Sequence, residues 1–278
     1  MPAPSGTVSA SEGVAGETHV EGNAEGERQR SPIQAILSGI SVWDVPLERR
    51  KQTAAVALFV SSLIFIPGCF VTSLLLLFHP LSRVPVIIYL LYITLLDSST
   101  ITGARKSDFF RRLPMFKHYA NYFPVKLHKT ADLDPDHRYV IGYHPHGIIG
   151  IGAIASFASE GPGISQLLPG LDIYLLTLAI NFRVPLLREI WLLMGLCDSS
   201  KRTFRTILSR GSGSAVVVVV GGAAEALQAA PGTMDLILEQ RRGFVRQALL
   251  NDALLVPAIG ALLDSVRRAR ARAALLTW

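Results

Sequence analysis

Hydrophobic and polar positions divide the chain into three parts with different patterns. Residues 1–31 are rich in Gly, Ser, Ala and Glu and have no hydrophobic period, which predicts a disordered tail. The stretch 54–78 is apolar and uncharged, and a second apolar stretch follows at 84–96. From Tyr139 onwards, short β-branched runs alternate with segments of helical period. The pattern therefore predicts a tail, a pair of apolar helices and an α/β domain, in that order.

The two apolar stretches predict a membrane hairpin over residues 54–96, preceded by an amphipathic juxtamembrane segment at 32–53. The first stretch is long enough to cross a bilayer, and the second has the length of a re-entrant segment or a short second leg. Pro67-Gly68 predicts a kink in the first stretch. Basic residues flank both outer ends, which predicts that both ends lie in the cytosol. They are Arg49, Arg50 and Lys51 before the hairpin, and Arg105, Lys106, Arg111 and Arg112 after it.

Strand and helix patterns alternate within residues 97–257, which predicts an α/β domain with a largely parallel sheet. The run Val216–Val220 is typical of a strand buried on both faces. The predicted strands are Tyr139–Tyr143, Leu171–Ala179, Ala215–Val220 and Leu254–Pro257. The predicted helices are Ile148–Ser159, Leu186–Met194, Thr203–Leu208 and Phe244–Asn251.

Composition and charge agree with a membrane-bound protein. Half of the 278 residues are hydrophobic and only 17% are charged, which is low for a soluble protein. The net charge of +6 is unevenly spread, because residues 1–30 carry more Glu than Arg and the remainder is strongly basic. A basic body suits an anionic partner such as lipid headgroups. No nucleic-acid recognition motif is present, so nucleic acid is not a predicted partner.

The strongest candidate for chemistry is the block Tyr143-His144-Pro145-His146-Gly147, at a predicted strand-to-helix junction. Pro145 fixes φ between the two imidazoles, and Gly147 lets the backbone approach a ligand closely. A histidine near neutral pH can take a proton from an alcohol. The alternative is a pair of histidines that only hydrogen-bond within a turn. A metal site is not predicted, because no clear third ligand accompanies the pair.

Glu225 is the candidate carboxylate for these histidines, because no Asp follows them closely in the sequence. It follows a predicted strand through Gly221-Gly222 and lies at the same edge of a parallel sheet. A Glu favoured there by the helix macrodipole is the alternative. Two further sets are candidates to bind phosphate or a substrate carbonyl, with solvated loops or a solvated basic face as the alternative. They are Asn181, Arg183 and Arg188, and then Arg242 and Arg246.

Five motifs in this order resemble the type-2 diacylglycerol acyltransferase family, which also holds monoacylglycerol and wax-alcohol acyltransferases. The resemblance covers about 116–257 and the apolar region before it. The motifs are Tyr122-Phe123-Pro124, the Tyr143–Gly147 block, the segment Asn181–Glu189, Gly221-Gly222-Ala223-Ala224-Glu225 and the segment Arg242–Ala248.

This resemblance implies a glycerolipid-acyltransferase-like α/β fold with a parallel-rich sheet, preceded by a transmembrane or re-entrant helical hairpin in the endoplasmic reticulum membrane or at the lipid droplet surface. It implies transfer of a fatty acyl group from acyl-CoA to diacylglycerol or a similar lipid alcohol, with acyl-CoA as co-substrate and neither cofactor nor metal. His144 and His146 are marked together, with His144 favoured as the base, and Glu225 completes the catalytic set. The implied substrate-binding residues are Tyr143, Gly147, Asn181, Arg183, Arg188, Gly221, Gly222, Arg242 and Arg246.

Residues 258–278 depart from the family pattern. Family chains continue after a strand such as Leu254–Pro257 into a Gly-Glu-Asn block and further strands, whereas this chain has an Ala/Arg/Leu-rich segment. The segment resembles an altered reading frame, an intron read-through or a splice variant, which predicts an incomplete domain of lower stability and activity. A non-catalytic membrane protein that retains lipid or acyl-CoA binding therefore stays open as the alternative function.

Overall fold

The computed structural model of the protein describes residues 45–147, 150–228 and 236–260. The predictions for the tail at 1–31, for residues 32–44 of the juxtamembrane segment and for residues 261–278 lie outside the described residues.

A long helix, Leu47–Phe78, leads into a shorter helix, Arg83–Leu91, and a π-helical turn at Tyr92–Leu96. The long helix bends by 57° between Leu47–Ser61 and Ile64–Phe78. This bend lies about one turn before the predicted kink at Pro67-Gly68. The reason is that Pro67 has no N–H for the carbonyl four residues earlier, and its ring presses against that carbonyl. The helix therefore bends for the predicted reason, about one turn before the predicted position.

None of the described helices is by itself long and apolar enough to cross a bilayer, whereas the two halves of the bent helix together have the length and composition of a span. Large apolar side chains are exposed along the second half and along the helix that follows, among them Ile64, Leu75, Phe78 and Leu95.

The first half of the bent helix packs against the α/β domain. Ala55 is buried in one cluster with Tyr119, and the ring centroids of Phe59 and Tyr119 lie 4.8 Å apart. Tyr119 belongs to the helix Pro114–Tyr122. The apolar hairpin is therefore joined to the domain by packed side chains as well as by the chain itself.

Five parallel strands form one sheet in the order β3-β2-β4-β1-β5. Their bounds are β1 Tyr139–His144, β2 Asp172–Thr177, β3 Leu196–Asp198, β4 Ser214–Val219 and β5 Leu254–Ile259. The predicted parallel sheet is confirmed, and the four predicted strands are present with ends shifted by one or two residues. The short strand β3 was not predicted, because three residues are too few to show a period.

The remaining helices mostly connect the strands. Of the predicted helix Ile148–Ser159, the residues Ile151–Phe157 are helical, and Gly150, with φ +63°, comes directly before them. Residues 148–149 lie outside the described residues. The bounds are Ser99–Thr102, Asp108–Arg111, Ile151–Phe157, Ile164–Leu167, Leu187–Leu193, Lys201–Leu208, Gly222–Gln228 and Gly243–Leu250, with a 3₁₀ helix at Ala179–Arg183.

The two faces of the sheet have separate cores. Tyr143 packs on one face against Phe157, with ring centroids 6.1 Å apart. Val140 packs on the other face, in a cluster with Phe204 and Ala248. Because side chains alternate along a strand, His144 points to the same face as Val140.

β1 and β4 are neighbours in the middle of the sheet. The chain leaves β1 towards β2, past β4, and leaves β4 towards β5, past β1. In open α/β sheets, ligands bind outside the carboxyl ends of the strands. The two predicted catalytic segments follow these two strands.

Candidate functional site

Glu225 connects the turn after β1 with the segment after β4. It lies in the first turn of the helix Gly222–Gln228 and is only 2% exposed. Its Oε1 accepts a hydrogen bond from the backbone N–H of His146 at 2.5 Å, and its Oε2 accepts one from the backbone N–H of Ile237 at 2.9 Å. The predicted proximity of Glu225 to the histidines is thus present, with the carboxylate bound to their backbone and not to a ring.

The glycine pair before Glu225 makes room for this carboxylate. A Cβ at position 221 would overlap the carboxylate of Glu225. Gly222 has φ +67°, a left-handed conformation that favours glycine. Gly221 and Gly222 therefore shape the path of the chain around Glu225.

His144 is buried at the carboxyl end of β1, with 6% of its surface exposed. Its Nδ1 is buried and has no hydrogen-bond partner within the described part of the chain. Burial lowers the pKa of His144, and the negative charge of Glu225 raises it in part. The imidazole is therefore held in its neutral form, which is the form that accepts a proton.

His146 is half-buried and has a different environment. Its Nδ1 lies 2.8 Å from the carbonyl oxygen of Gly147. A carbonyl oxygen can only accept, so Nδ1 carries the proton and Nε2 of the neutral ring carries the lone pair. Gly147 has φ +61°, which again favours glycine.

A cavity of about 260 Å³ lies on the same face of the sheet as His144. Phe204, Val218 and Phe244 form its apolar walls, and Gln247 contributes a side-chain amide. Phe244 lies over Gly142, where a Cβ would be 3.1 Å from Phe244 Cε2. Ser199, Lys201 and Gly243 lie at the starts of two helices and line the remainder of the cavity.

Other predicted substrate-binding residues lie at the surface. Asn181 and Arg183 are exposed on the 3₁₀ helix, and Asn181 Nδ2 donates to Thr177 Oγ1 at 2.8 Å. Arg242 and Arg246 are exposed at the start and on the outside of the helix Gly243–Leu250. Tyr143 points to the face opposite His144, into the core with Phe157.

Arg188 lies in a buried ion-pair network away from the surface. Its Nη2 is 2.7 Å from Asp97 Oδ2, and both side chains are 2% exposed. Its Nη1 is 3.0 Å from Glu189 Oε1, and Arg105 pairs with both Asp97 and Glu189. The network joins the end of the apolar hairpin to the helix Leu187–Leu193. The contacts of Arg188 are therefore with buried side chains of the protein itself.

A larger cavity, of about 430 Å³, lies at the opposite edge of the sheet and contains none of the predicted site residues. Its charged side chains are largely paired: Lys106 Nζ lies 2.5 Å from Asp172 Oδ1, and Arg111 Nη2 lies 3.2 Å from Glu160 Oε1. Burial raises the pKa of Tyr174 in its wall to about 12. The smaller cavity is likewise lined by none of the predicted site residues, but it lies on the face of the sheet to which His144 points.

Sequence reasoning missed Lys201, Phe204 and Gln247. One signal was available for Gln247. Phe244, Gln247 and Ala248 are spaced as the buried face of a helix, and a polar residue on such a face is the informative exception. Lys201 and Phe204 gave no comparable signal, since they enter the cavity through the packing of their helix on β4.

The family model and the similar proteins agree on one family. Residues 75–261 match the model of the family described as "Diacylglycerol acyltransferase". "Diacylglycerol O-acyltransferase 2B" of Umbelopsis ramanniana is 45% identical over 213 residues, which are 77% of this chain and 60% of that protein. "Diacylglycerol O-acyltransferase 2" of Dictyostelium discoideum is 39% identical over 215 residues, which are 77% of this chain and 64% of that protein.

A mouse relative, "Acyl-CoA wax alcohol acyltransferase 1", is 41% identical over 182 residues, which are 66% of this chain and 55% of that protein. The chain thus spans less than two thirds of the length of these curated relatives. No solved structure matches it significantly. Because the family match covers most of the chain and includes both segments joined by Glu225, this protein belongs to the diacylglycerol acyltransferase family.

Proposed function

We propose that this protein is a membrane-bound O-acyltransferase that transfers a fatty acyl group from acyl-CoA to diacylglycerol, giving triacylglycerol. Family membership and the names of the relatives support the activity. The single observation that carries the proposal is the hydrogen bond from His146 N–H to Glu225 Oε1, because it fastens the two-histidine turn to the neighbouring strand's glycine turn.

His144 is the proposed general base. Burial keeps its ring neutral, and its side chain points to the face of the sheet that carries the cavity of about 260 Å³. His144 takes the proton of the lipid hydroxyl while the hydroxyl oxygen attacks the thioester carbonyl carbon. The tetrahedral intermediate then expels the thiolate of coenzyme A, which recovers the proton from the imidazolium. His146, with its tautomer set by Gly147, and Glu225 hold the turn in place.

The membrane location is proposed from the apolar hairpin. Two lipid substrates partition into a bilayer, and the exposed apolar side chains of Ile64–Phe78 and Arg83–Leu91 need a nonpolar environment. The packing of the first half of the bent helix, Leu47–Ser61, on the Pro114–Tyr122 helix would hold the α/β domain at the membrane surface. The endoplasmic reticulum membrane, with the lipid droplet surface as a further location, is the proposed compartment.

The lipid alcohol can differ from diacylglycerol. The mouse relative's name favours a fatty alcohol as a second candidate acceptor, and a monoacylglycerol has the same reacting group. The rival from another class is a non-catalytic membrane protein that keeps lipid or acyl-CoA binding without turnover.

Expression of this chain in a host that lacks triacylglycerol synthesis tests the proposal. Lipid analysis should show triacylglycerol, with wax ester as the product if a fatty alcohol is the acceptor. His144→Ala and His146→Ala should each lower acyl transfer about 10²–10⁴-fold with membrane insertion unchanged. An inserted wild-type chain that makes neither product would leave the non-catalytic rival, and near wild-type turnover in both variants would remove histidine from the mechanism.

A further inference from the structure

The segment that follows β2 exposes four large apolar side chains, which we call the 178–190 surface. They are Leu178, Ile180, Leu186 and Ile190, and the first two are 65% and 62% exposed. The segment is nevertheless packed on its inner side, because Phe182 of the same 3₁₀ helix is buried in the core. Apolar side chains that a packed segment holds outwards mark a contact with a nonpolar partner.

The 178–190 surface lies where the apolar hairpin ends. Leu96, the last residue of the hairpin, is exposed, and the next residue, Asp97, lies 2.7 Å from Arg188 through its Oδ2. Arg188 stands between Leu186 and Ile190 in the chain. The hairpin therefore joins the α/β domain directly beside the 178–190 surface.

A tyrosine of the hairpin makes a second connection to the same place. The hydroxyl of Tyr89 accepts a hydrogen bond from the N–H of Leu186 at 3.2 Å and donates one to Oε1 of Glu189 at 3.0 Å. Tyrosine is common at the boundary between bilayer and water, where its ring contacts lipid and its hydroxyl binds polar groups. These contacts place Leu186 at the level of that boundary if the hairpin enters a bilayer.

The residues between the apolar ones suit a membrane surface. Asn181 and Arg183 are exposed on the 3₁₀ helix. An apolar surface with a basic residue beside it is typical of segments that lie on a membrane, because headgroups attract the cation while the apolar side chains enter the acyl region. A bilayer is favoured over a second copy of the chain, because the neighbouring hairpin needs the same nonpolar environment.

The 178–190 surface also lies at the edge of the sheet that carries the proposed chemistry. β2 ends at Thr177, directly before Leu178, and β1 ends at His144. Only β4 separates these two parallel strands, so their carboxyl ends are about 10 Å apart. A bilayer that contacts Leu178 is therefore close to the histidine turn.

We propose that the 178–190 surface is a second membrane contact, which turns the carboxyl edge of the sheet towards the bilayer and lets the lipid alcohol reach His144 from the membrane. The inference rests on the proposed membrane location of the hairpin. It adds the orientation of the domain, with the carboxyl ends of the strands towards the lipid and the amino ends away from it. The hydroxyl of a diacylglycerol lies at the bilayer surface while its acyl chains stay in lipid, so the substrate need not enter water.

Fluorescence quenching in phosphatidylcholine vesicles tests this orientation. The full chain with Cys69→Ala and Ile180→Cys is labelled with an environment-sensitive nitrobenzoxadiazole group, and Cys197 is fully buried and should not react. Lipids with nitroxide groups on their acyl chains should quench most of the emission at position 180. The matched control is Leu249→Cys, at a residue that is more exposed than Ile180 but lies in the last turn of the helix Gly243–Leu250, near the amino edge of the sheet. Its emission should persist.

Leu75→Cys in the hairpin reports whether the hairpin itself enters the bilayer. Quenching at positions 75 and 180 but not at 249 would support the proposal. Quenching at 75 alone would keep the membrane location and overturn the second contact, whereas equal quenching at 180 and 249 would overturn the orientation. Absence of quenching at 75 would refute the membrane location and this inference with it. Crosslinking between two Ile180→Cys chains without quenching by lipid would identify a second copy as the occupant and also overturn the proposal.

A kinetic comparison tests the route of the substrate. The double variant Leu178→Ser, Ile180→Ser should raise KM for a long-chain diacylglycerol in vesicles several-fold. It should leave kcat/KM for a water-soluble short-chain diacylglycerol unchanged, because that substrate need not come from the bilayer. Leu249→Ser with Leu250→Ser is the control and should change neither quantity. Equal losses with both substrates would show a structural role for the two side chains and contradict the proposed route. The quenching measurements need no turnover, so they test the 178–190 surface even in a chain without activity.

Discussion

Glu225 and His146 are 79 residues apart in the chain, and the carboxylate of one holds the backbone N–H of the other at 2.5 Å. The contact exists because β1 and β4 are adjacent and parallel, so the turns that follow them meet at one edge of the sheet. A buried carboxylate that accepts two backbone N–H groups fixes two segments at once. The relationship makes Glu225 a positioning residue for the histidine turn.

Glu225→Gln should lower acyl transfer about 10²-fold and cost about 1–3 kcal/mol of folding stability. The amide NH2 group of Gln would face one of the two backbone N–H groups. Because both of these groups are donors, no hydrogen bond would form between them. A displaced catalytic turn accounts for the loss in rate. Kinetics and thermal unfolding on the same preparation check this result. Glu239→Gln, at an exposed glutamate, is the control and should change neither quantity. Full activity in Glu225→Gln would contradict the positioning role.

The pH profile of kcat/KM should have its acid limb below about pH 6.5, the ordinary pKa of histidine. Burial lowers the pKa of His144, so the neutral base persists as the pH falls. The charge of Glu225 raises that pKa in part, and Glu225→Gln removes the charge. The acid limb of the variant should therefore move to still lower pH. A shift to higher pH in the variant would contradict the effect that the charge of Glu225 has on the pKa of His144.

Gly221→Ala should abolish most acyl transfer, because the new Cβ would occupy the place of the Glu225 carboxylate. Either the carboxylate or the helix Gly222–Gln228 must move, and both carry the contact to His146. Gly68→Ala is the control, since a Cβ at Gly68 meets nothing within 4 Å and alanine favours a helix. Activity in isolated membranes, normalised to the amount of inserted protein, distinguishes the two variants. Equal activity of both would mean that the carboxylate does not need its observed position.

Arg188→Met should destabilise the protein by about 3–5 kcal/mol, because it leaves the buried carboxylate of Asp97 without its main partner. Burial raises the pKa of Asp97, but hydrogen bonds from Ser99 and Arg188 outweigh it and lower the pKa overall, so the carboxylate is charged in the folded protein. Denaturant unfolding in detergent measures the effect. Arg183→Met, at an exposed arginine of the 3₁₀ helix, should stay within about 0.5 kcal/mol of wild type. A variant of Arg188 with unchanged stability and a raised KM would instead support the substrate-binding role predicted from the sequence.

Local patterns in the sequence determined the order of the elements and the identity of the histidine turn. Each of these patterns depends only on residues that are close together in the chain. The uncharged run before Phe78 indicated an apolar helix, the β-branched run at Val216–Val220 indicated a buried strand, and the glycines before Glu225 indicated the connection from that strand to the next helix. Parallel strands share a carboxyl edge, so even the meeting of Glu225 with the His144–His146 turn could be predicted before the strand order was known.

The tertiary structure alone decided which atoms meet. Strand order placed β4 next to β1. As a result, Glu225 accepts a hydrogen bond from the backbone N–H of His146 and not from an imidazole ring. Packing of two helices on one face turned Gln247 inward, and the fold of the hairpin's end onto Leu187–Leu193 buried Arg188 against Asp97. These contacts join residues far apart in the chain, and their geometry depends on how whole elements pack, which no short-range pattern of residue types records.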